Sequence, residues 1–252
     1  MLDVIREPFA NAPGQPPRDP GTWALFLDLD GTLLDIAPTP DSVAVPAGLL
    51  ADLGRAASAL DGAFALVSGR ALADIDRLTG ALRLPMAAEH GAVLRFPDGR
   101  REEIGGGVPP DWLARIGNAF GRVDGIVIEP KQRGVAIHFR GAAGEAGRVW
   151  DLARSLVDGS ADRFELLAAR MAVEIRRRGA SKGRAVQALM TVAPFRGRVP
   201  VYVGDDVTDD AGIVAAKALG GVGLKVAWAF GGEPARVRRW LAGIAAGCRA
   251  EG

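Results

Sequence analysis

Leu25-Phe26-Leu27-Asp28-Leu29-Asp30-Gly31-Thr32 runs from apolar side chains into two carboxylates and a glycine. The apolar part is short and bounded by Gly21 and Gly31, which fits a buried strand of a parallel sheet better than a helix. Strand side chains alternate faces, so Asp28 and Asp30 leave the strand pointing the same way. Gly31 then lets the backbone turn sharply. Parallel sheets bind ligands beyond the carboxyl ends of their strands, so this pair is a candidate nucleophile and hard-cation site.

The chain has 252 residues, 48% of them hydrophobic, enough for one large domain or two small ones. A net charge of +1 offers no strong field for nucleic acid or an anionic membrane. No apolar run reaches the ~20 residues of a membrane helix. The one cysteine, Cys248, has no partner for an internal disulfide, which points to a reducing compartment. No basic segment precedes a long apolar run at the N-terminus, so no signal peptide is expected. A cytoplasmic protein, monomeric, without nucleic-acid or membrane partners, is the expectation.

Working outward, residues 1–22 read as a loose N-terminal arm rich in Pro, Gly, Asn and Asp. After the first strand come a helix over Ala47–Leu60, a strand over Ala63–Val67 ending in Ser68-Gly69-Arg70, a helix over Ala71–Leu78, and a strand over Met86–Ala88 ending in Glu89-His90-Gly91. Strand–helix alternation predicts a parallel sheet. Beyond Gly91 the texture turns antiparallel: hairpins around Pro97-Asp98-Gly99 and Gly134, then paired strands over Phe164–Leu167 and Met171–Ile175, with two helices among them. Alternation returns with a helix from Ser181-Lys182-Gly183, a strand over Val199–Val203 ending in Gly204-Asp205-Asp206, a helix over Ala211–Leu219, a strand over Gly223–Ala227 and a helix over Pro234–Ala246. The expected class is α/β: a parallel-sheet core over 23–91 and 179–252 with an inserted α+β domain over 92–178.

Polar groups thus gather at the strand ends: Asp28 and Asp30, Ser68, Glu89 with His90, and Asp205 with Asp206 and Asp209. Carboxylates crowded at one edge repel unless a cation neutralises them. Oxygen-only ligands favour a hard ion, and few all-protein ligands favour Mg²⁺. Lys182 at a helix start is repelled by the helix dipole, which argues for an anionic partner.

Asp28-Leu29-Asp30-Gly31-Thr32, Ser68, Lys182 and Gly204-Asp205-Asp206 stand in the order of the four motifs of haloacid dehalogenase-like phosphatases, and the resemblance covers nearly the whole chain beyond the arm. It implies a Rossmann-like core and a mobile cap. It also implies Asp28 as nucleophile forming an aspartyl phosphate, Asp30 as acid and base, and Ser68 and Lys182 on the phosphate. Mg²⁺ is expected on Asp28, the backbone carbonyl of Asp30, and Asp205, with Asp206 at the metal. Asp209 is expected behind the ligands, holding metal waters or Lys182. The finer pattern resembles trehalose-6-phosphate phosphatases: Gly204-Asp205-Asp206-Val207-Thr208-Asp209-Asp210 is close to their Gly-Asp-Asp-x-Thr-Asp-Glu, with Asp210 in place of Glu. Ser68-Gly69-Arg70, Glu89-His90-Gly91, Glu129-Pro130-Lys131, Val135 to Arg140 and Glu174-Ile175-Arg176 also match, although Phe139 and Arg177 replace the family's Tyr and Pro. The resemblance implies hydrolysis of trehalose 6-phosphate and a functional link to a trehalose-6-phosphate synthase. Arg70, Glu89, His90, Lys131, His138, Arg140 and Glu174 are its implied substrate-binding residues. The cap is expected to close over the sugar on hinges near Gly91 and Gly179. Other sugar phosphatases (acting on glucosyl- or mannosyl-phosphoglycerate or sucrose phosphate), a phosphomutase and a non-catalytic sugar-phosphate sensor are the alternatives; the intact Asp28 and Asp30 argue against the sensor.

Overall fold

Strand β1 (Trp23–Leu27) is buried along its whole length and lies between two parallel neighbours, β2 (Phe64–Val67) and β10 (Val199–Gly204). The computed structural model describes residues 19–80, 82–169 and 171–247. Most of the expected N-terminal arm and Cys248 lie outside these residues. Within them, Asp19 opens a short 3-10 turn over Pro20–Thr22, and the Gly21 carbonyl accepts from Arg198.

The chain forms two compact units, one running up to Glu102 and resuming at Ser181, the other Glu103–Ala180. The first holds a sheet in the order β11-β10-β1-β2-β3-β4-β5, with β3 Met86–Ala88, β4 Val93–Arg95, β5 Arg101–Glu103 and β11 Val222–Lys225. Pairing is parallel from β11 to β3, and β4 adds antiparallel to β3.

Period-two alternation along β1 sorts the core into two layers. Trp23, Leu25 and Leu27 pack with Leu53 of α1 (Leu49–Ala59), Ile75 of α2 (Leu72–Thr79) and Trp240 and Leu241 of the C-terminal helix Pro234–Gly247. Ala24 and Phe26 face the other way, with Tyr202 of β10, onto helices Lys182–Met190 and Asp210–Ala218. A sheet covered by helices on both faces is the expected α/β core.

The second unit has its own core. Helices α3 (Pro110–Phe120) and α4 (Ala146–Val157) pack Trp112, Ile116, Val149 and Leu156 against Val135, Ile137, Val173 and Ile175 of a sheet ordered β6-β7-β9-β8. Its strands are β6 Val127–Pro130, β7 Val135–His138, β8 Phe164–Ala169 and β9 Ala172–Arg177, all antiparallel.

Two expectations need correction. The hairpin after Gly91 belongs to the parallel core, not to the insert, because β4 pairs with β3 through Ala88↔Val93 and Met86↔Arg95. The insert therefore starts at 103 rather than 92. Gly91 lies within the core, with a built Cβ falling 2.4 Å from the Ser181 carbonyl oxygen, so it marks a tight backbone approach inside that unit. The strand expected over Gly223–Ala227 stops at Lys225, its last ladder partner being Gly204, and Val226–Ala229 turns into a short helix (α7). In chain order the flanking helices are α5 (Lys182–Met190), α6 (Asp210–Ala218) and α8 (Pro234–Gly247). Among the described residues no helix is long and apolar enough to cross a membrane.

Candidate active site

The parallel register carries Asp28, Ser68, Glu89 and Asp205 to the carboxyl ends of neighbouring strands. After β1 the chain closes a tight turn, with Leu33 and Leu34 N–H both donating to the Leu29 carbonyl at 2.8 Å. Gly31 sits in this turn at φ +76°, where a Cβ would fall 2.1 Å from Asp205 Oδ2. Glycine therefore serves twice: it takes the left-handed conformation and clears space for Asp205 beside Asp28.

Asp28 is buried. Its Oδ1 accepts from Lys182 Nζ at 2.7 Å and its Oδ2 from Thr32 Oγ1 at 3.2 Å. Lys182 opens α5, which Ser181 caps by accepting from Arg184 N. The same ammonium donates to Asp209 Oδ1 at 2.6 Å. That Asp209 oxygen also accepts from the Tyr202 hydroxyl at 2.7 Å, while Oδ2 accepts from Asp206 N at 3.0 Å.

Asp28, Asp205 and Asp209 offer carboxylate oxygens within 4.8 Å of one another. Asp209 is fully buried and its oxygens are already taken by Lys182, Tyr202 and a backbone N–H, so it anchors Lys182 rather than facing an ion. Asp205 Oδ1 is buried with no hydrogen-bond partner among the described residues. Asp206 does not join them: it is exposed and its Oδ1 accepts from Val207 N, beginning the turn over Val207–Asp209.

One ammonium thus faces three acids. Burial pushes the Asp28 carboxyl well above the ordinary range; Lys182 pulls it down, while Asp209 and Asp205 push it up. Burial, then Asp209 and Asp206, push Asp205 up to about 6. Burial alone would lower Lys182, yet Asp28 and Asp209 together hold its ammonium above the usual lysine range. Burial, then Asp209, push the Tyr202 phenol well above its ordinary value, so it is a neutral donor.

The other residues of the core edge form one stitched turn. Ser68 Oγ accepts from Arg70 N at 3.1 Å, Glu89 N donates to the Arg70 carbonyl at 2.9 Å, and His90 N to the Ser68 carbonyl at 3.0 Å. Glu89 and His90 are buried with φ of +49° and +57°, backbone strain of the kind that gathers at functional sites. Arg70 grips Asp30 with both arms of its fork, at 2.6 Å to each oxygen.

Within the second unit, β7 and β9 turn Val135, Ile137, Val173 and Ile175 towards the helices, and alternation turns His138 and Glu174 to the opposite face. There Lys131 Nζ donates to Glu174 Oε2 at 2.9 Å, and His138 Nε2 lies 2.8 Å from Glu129 Oε2. Burial would raise Glu129, but His138 and Lys131 outweigh it and lower its carboxyl. Arg140 is exposed, past the end of β7.

Thr32, Glu129 and Tyr202 join these contacts without standing among the residues expected from sequence. Tyr202 carried a signal: it is the chain's one tyrosine, in a strand too apolar to solvate a hydroxyl, and a buried tyrosine hydroxyl needs a partner.

Residues 26–225 match the family model described as Trehalose-phosphatase. The trehalose-6-phosphate phosphatase of Escherichia coli (strain K12) is 37% identical over 231 residues, spanning 87% of this chain and 85% of the relative. The probable trehalose-phosphate phosphatase of Sinorhizobium fredii is 40% identical over 209 residues, spanning 82% and 79%. Among solved structures, the C-terminal domain of C. albicans trehalose-6-phosphate phosphatase superposes with a TM-score of 0.72 at 17% identity, over 97% of this chain and 96% of that one, a likeness of fold.

Proposed function

The chain belongs to the trehalose-phosphatase family of phosphoric monoester hydrolases, and we propose that it hydrolyses trehalose 6-phosphate to trehalose and phosphate, with Mg²⁺ as cofactor, through an aspartyl phosphate on Asp28. The observation that carries the reading is Lys182 lodged between Asp28 and Asp209, with Asp205 alongside. It supports a site organised around a reactive carboxylate.

The residues fit a hard divalent ion. Asp28 and Asp205 supply oxygen donors, Asp205 Oδ1 is buried and unsatisfied, and a single ammonium opposes the acids. Asp28, the Asp30 carbonyl and Asp205 would hold it; Asp206 is left out of the proposed set. When bound, Mg²⁺ supplies Lewis-acid polarisation of a phosphoryl oxygen.

A carboxylate oxygen of Asp28 attacks phosphorus, and the bond from phosphorus to the sugar oxygen breaks. Lys182 and the Ser68 hydroxyl hold the remaining phosphoryl oxygens. Asp30 gives its proton to the departing sugar oxygen, then takes one from the water that splits the phosphoenzyme. Both Asp30 oxygens are engaged by Arg70, so the acid step requires that pair to open. Glu89 and His90 are proposed to line the same edge. Phosphate release from trehalose 6-phosphate, sucrose phosphate, glucosyl-phosphoglycerate and an aryl phosphate tests the reading. Trehalose 6-phosphate should be turned over best, chelator should stop turnover, and Mg²⁺ should restore it. Equal turnover of every sugar phosphate would remove the assigned substrate, and full activity in excess chelator would remove the metal.

Lys131, His138, Arg140 and Glu174 are proposed to select the sugar, joined by Glu129, which His138 and Lys131 neighbour. Disaccharide hydroxyls need such charged donors and acceptors, and binding energy from the distal glucose can serve catalysis. Losing one hydrogen bond to a charged group costs roughly 1.5–3 kcal/mol, about 10- to 150-fold. Glu174→Gln, which keeps the side chain's shape, should lower kcat/KM on trehalose 6-phosphate by that factor and leave an aryl phosphate nearly unaffected. Equal losses on both substrates would assign Glu174 to the fold instead.

A further inference from the structure

We propose that Tyr202 is a positioning residue of the phosphatase: its hydroxyl fixes the Asp209 carboxylate, which aims Lys182 at Asp28. The inference rests on the roles given above to Asp28 and Lys182.

The contacts form one buried chain. Tyr202 OH donates to Asp209 Oδ1 at 2.7 Å, the same oxygen receives Lys182 Nζ at 2.6 Å, and that ammonium reaches Asp28 Oδ1 at 2.7 Å. Asp206 N holds Oδ2 at 3.0 Å. With a donor on one oxygen and two on the other, the carboxylate has no free rotation. Remove the hydroxyl and Oδ1 answers to Lys182 alone. The carboxylate can then pivot about its bond from Asp206 N, and the ammonium moves with it. Lys182 sits almost evenly between two acids, so a small pivot changes which of them holds it.

The surroundings are shaped for the phenol. Tyr202 is fully buried in the apolar layer under α5 and α6, so its ring is packed and only its hydroxyl is polar. Gly212 of α6 lies against that ring, where a Cβ would come within 2.4 Å of Tyr202 Cε2. Gly183 of α5 lies as close to the Ala211 carbonyl oxygen, at 2.6 Å from a built Cβ, which lets the helix bearing Lys182 meet the segment bearing Asp209. Tyr202 touches no reacting atom itself; it acts through Asp209.

Tyr202→Phe keeps the ring and removes the hydroxyl. Steady-state kinetics on trehalose 6-phosphate and on an aryl phosphate should show kcat lower by about tenfold on both, with KM changed by less than about threefold, because the aim of Lys182 matters most as charge develops. In an Asp209→Asn background the same substitution should add less than about twofold, since the two act in series. Independent, multiplying losses would overturn the inference. So would kcat equal to that of the unsubstituted protein, or a loss that merely follows the folded fraction in thermal melts. Gly212→Ala provides a second handle, pushing the intact phenol off Asp209, and should reproduce the fall in kcat with KM held. Failure of both variants to fold would assign Tyr202 to packing and overturn the inference. If the unsubstituted protein released no phosphate from either substrate, this inference and the functional reading would both fall. Normal turnover in Tyr202→Phe would remove the inference alone.

Discussion

Asp28→Asn is expected to stop turnover, with kcat lower by roughly 10⁴- to 10⁶-fold, the scale seen when other enzymes lose a nucleophile or its activator. The amide keeps the size of the side chain and an oxygen for Thr32 or Lys182, so the fold is retained. It lacks the charge that attacks phosphorus in the proposed mechanism. Both the sugar phosphate and an aryl phosphate should fail alike, because the bond to phosphorus never forms, and acid quench should trap no phosphorylated protein. Retention of more than about a hundredth of the activity would remove Asp28 as nucleophile, since that residue would correspond to under about 3 kcal/mol of lost stabilisation.

The second large effect is expected at Lys182. Lys182→Met fills the same space without the charge and leaves Asp28, Asp205 and Asp209 facing one another. Losing a donor aimed at developing charge lowers kcat by about 10²- to 10³-fold. Breaking a buried ion pair from one side costs about 3–5 kcal/mol of stability, partly recovered where the acids take up protons. The sign follows from their positions. Asp28 is raised, and Asp205 is raised from 3.8 to about 6, so the folded state binds protons that the unfolded chain releases. For Asp205 that contribution is complete below about 3.8 and lost as pH rises through about 6. In chelator, melting temperatures should therefore fall across this window, and more steeply in Lys182→Met, where nothing opposes the like charges. A variant whose melting temperature is flat from acid to neutral pH would show that the acids do not titrate as a cluster.

The arrangement of Asp28, Ser68, Glu89 and Asp205 was legible because a parallel sheet turns order along the chain into position along an edge. Each of these residues follows a short apolar run, and strand ends are what such runs mark. From the residues alone, which acid of Asp205, Asp206 and Asp209 faces inward was not legible; the resemblance set Asp205 on the metal and Asp209 behind it. Three acids within one turn have the same composition whichever way the turn is wound; the winding depends on Asp206 capping it and on Tyr202 meeting Asp209. Arg70 and Asp30 are 40 residues apart, and nothing in either local pattern announces their pairing. The hairpin of β4 and β5 is legible as a hairpin, but its place in the core sheet is not. Turn residues and alternation specify a hairpin, but the strand it joins is a long-range choice, made here by the free side of β3.

That hairpin bears on how the insert can be exchanged between relatives. β5 is the outermost strand of the core sheet and carries Arg101-Glu102-Glu103, charges that deter another chain from adding there. A graft spliced at 92 and 178 would carry off β4 and β5 and leave β3, all of it apolar and buried, as a bare margin. Such a chimaera would present a sticky border and self-associate whatever insert it had been given. Splicing just after Glu103 and at 180 moves the same Lys131 and Glu174 face and leaves the guarded border with its owner.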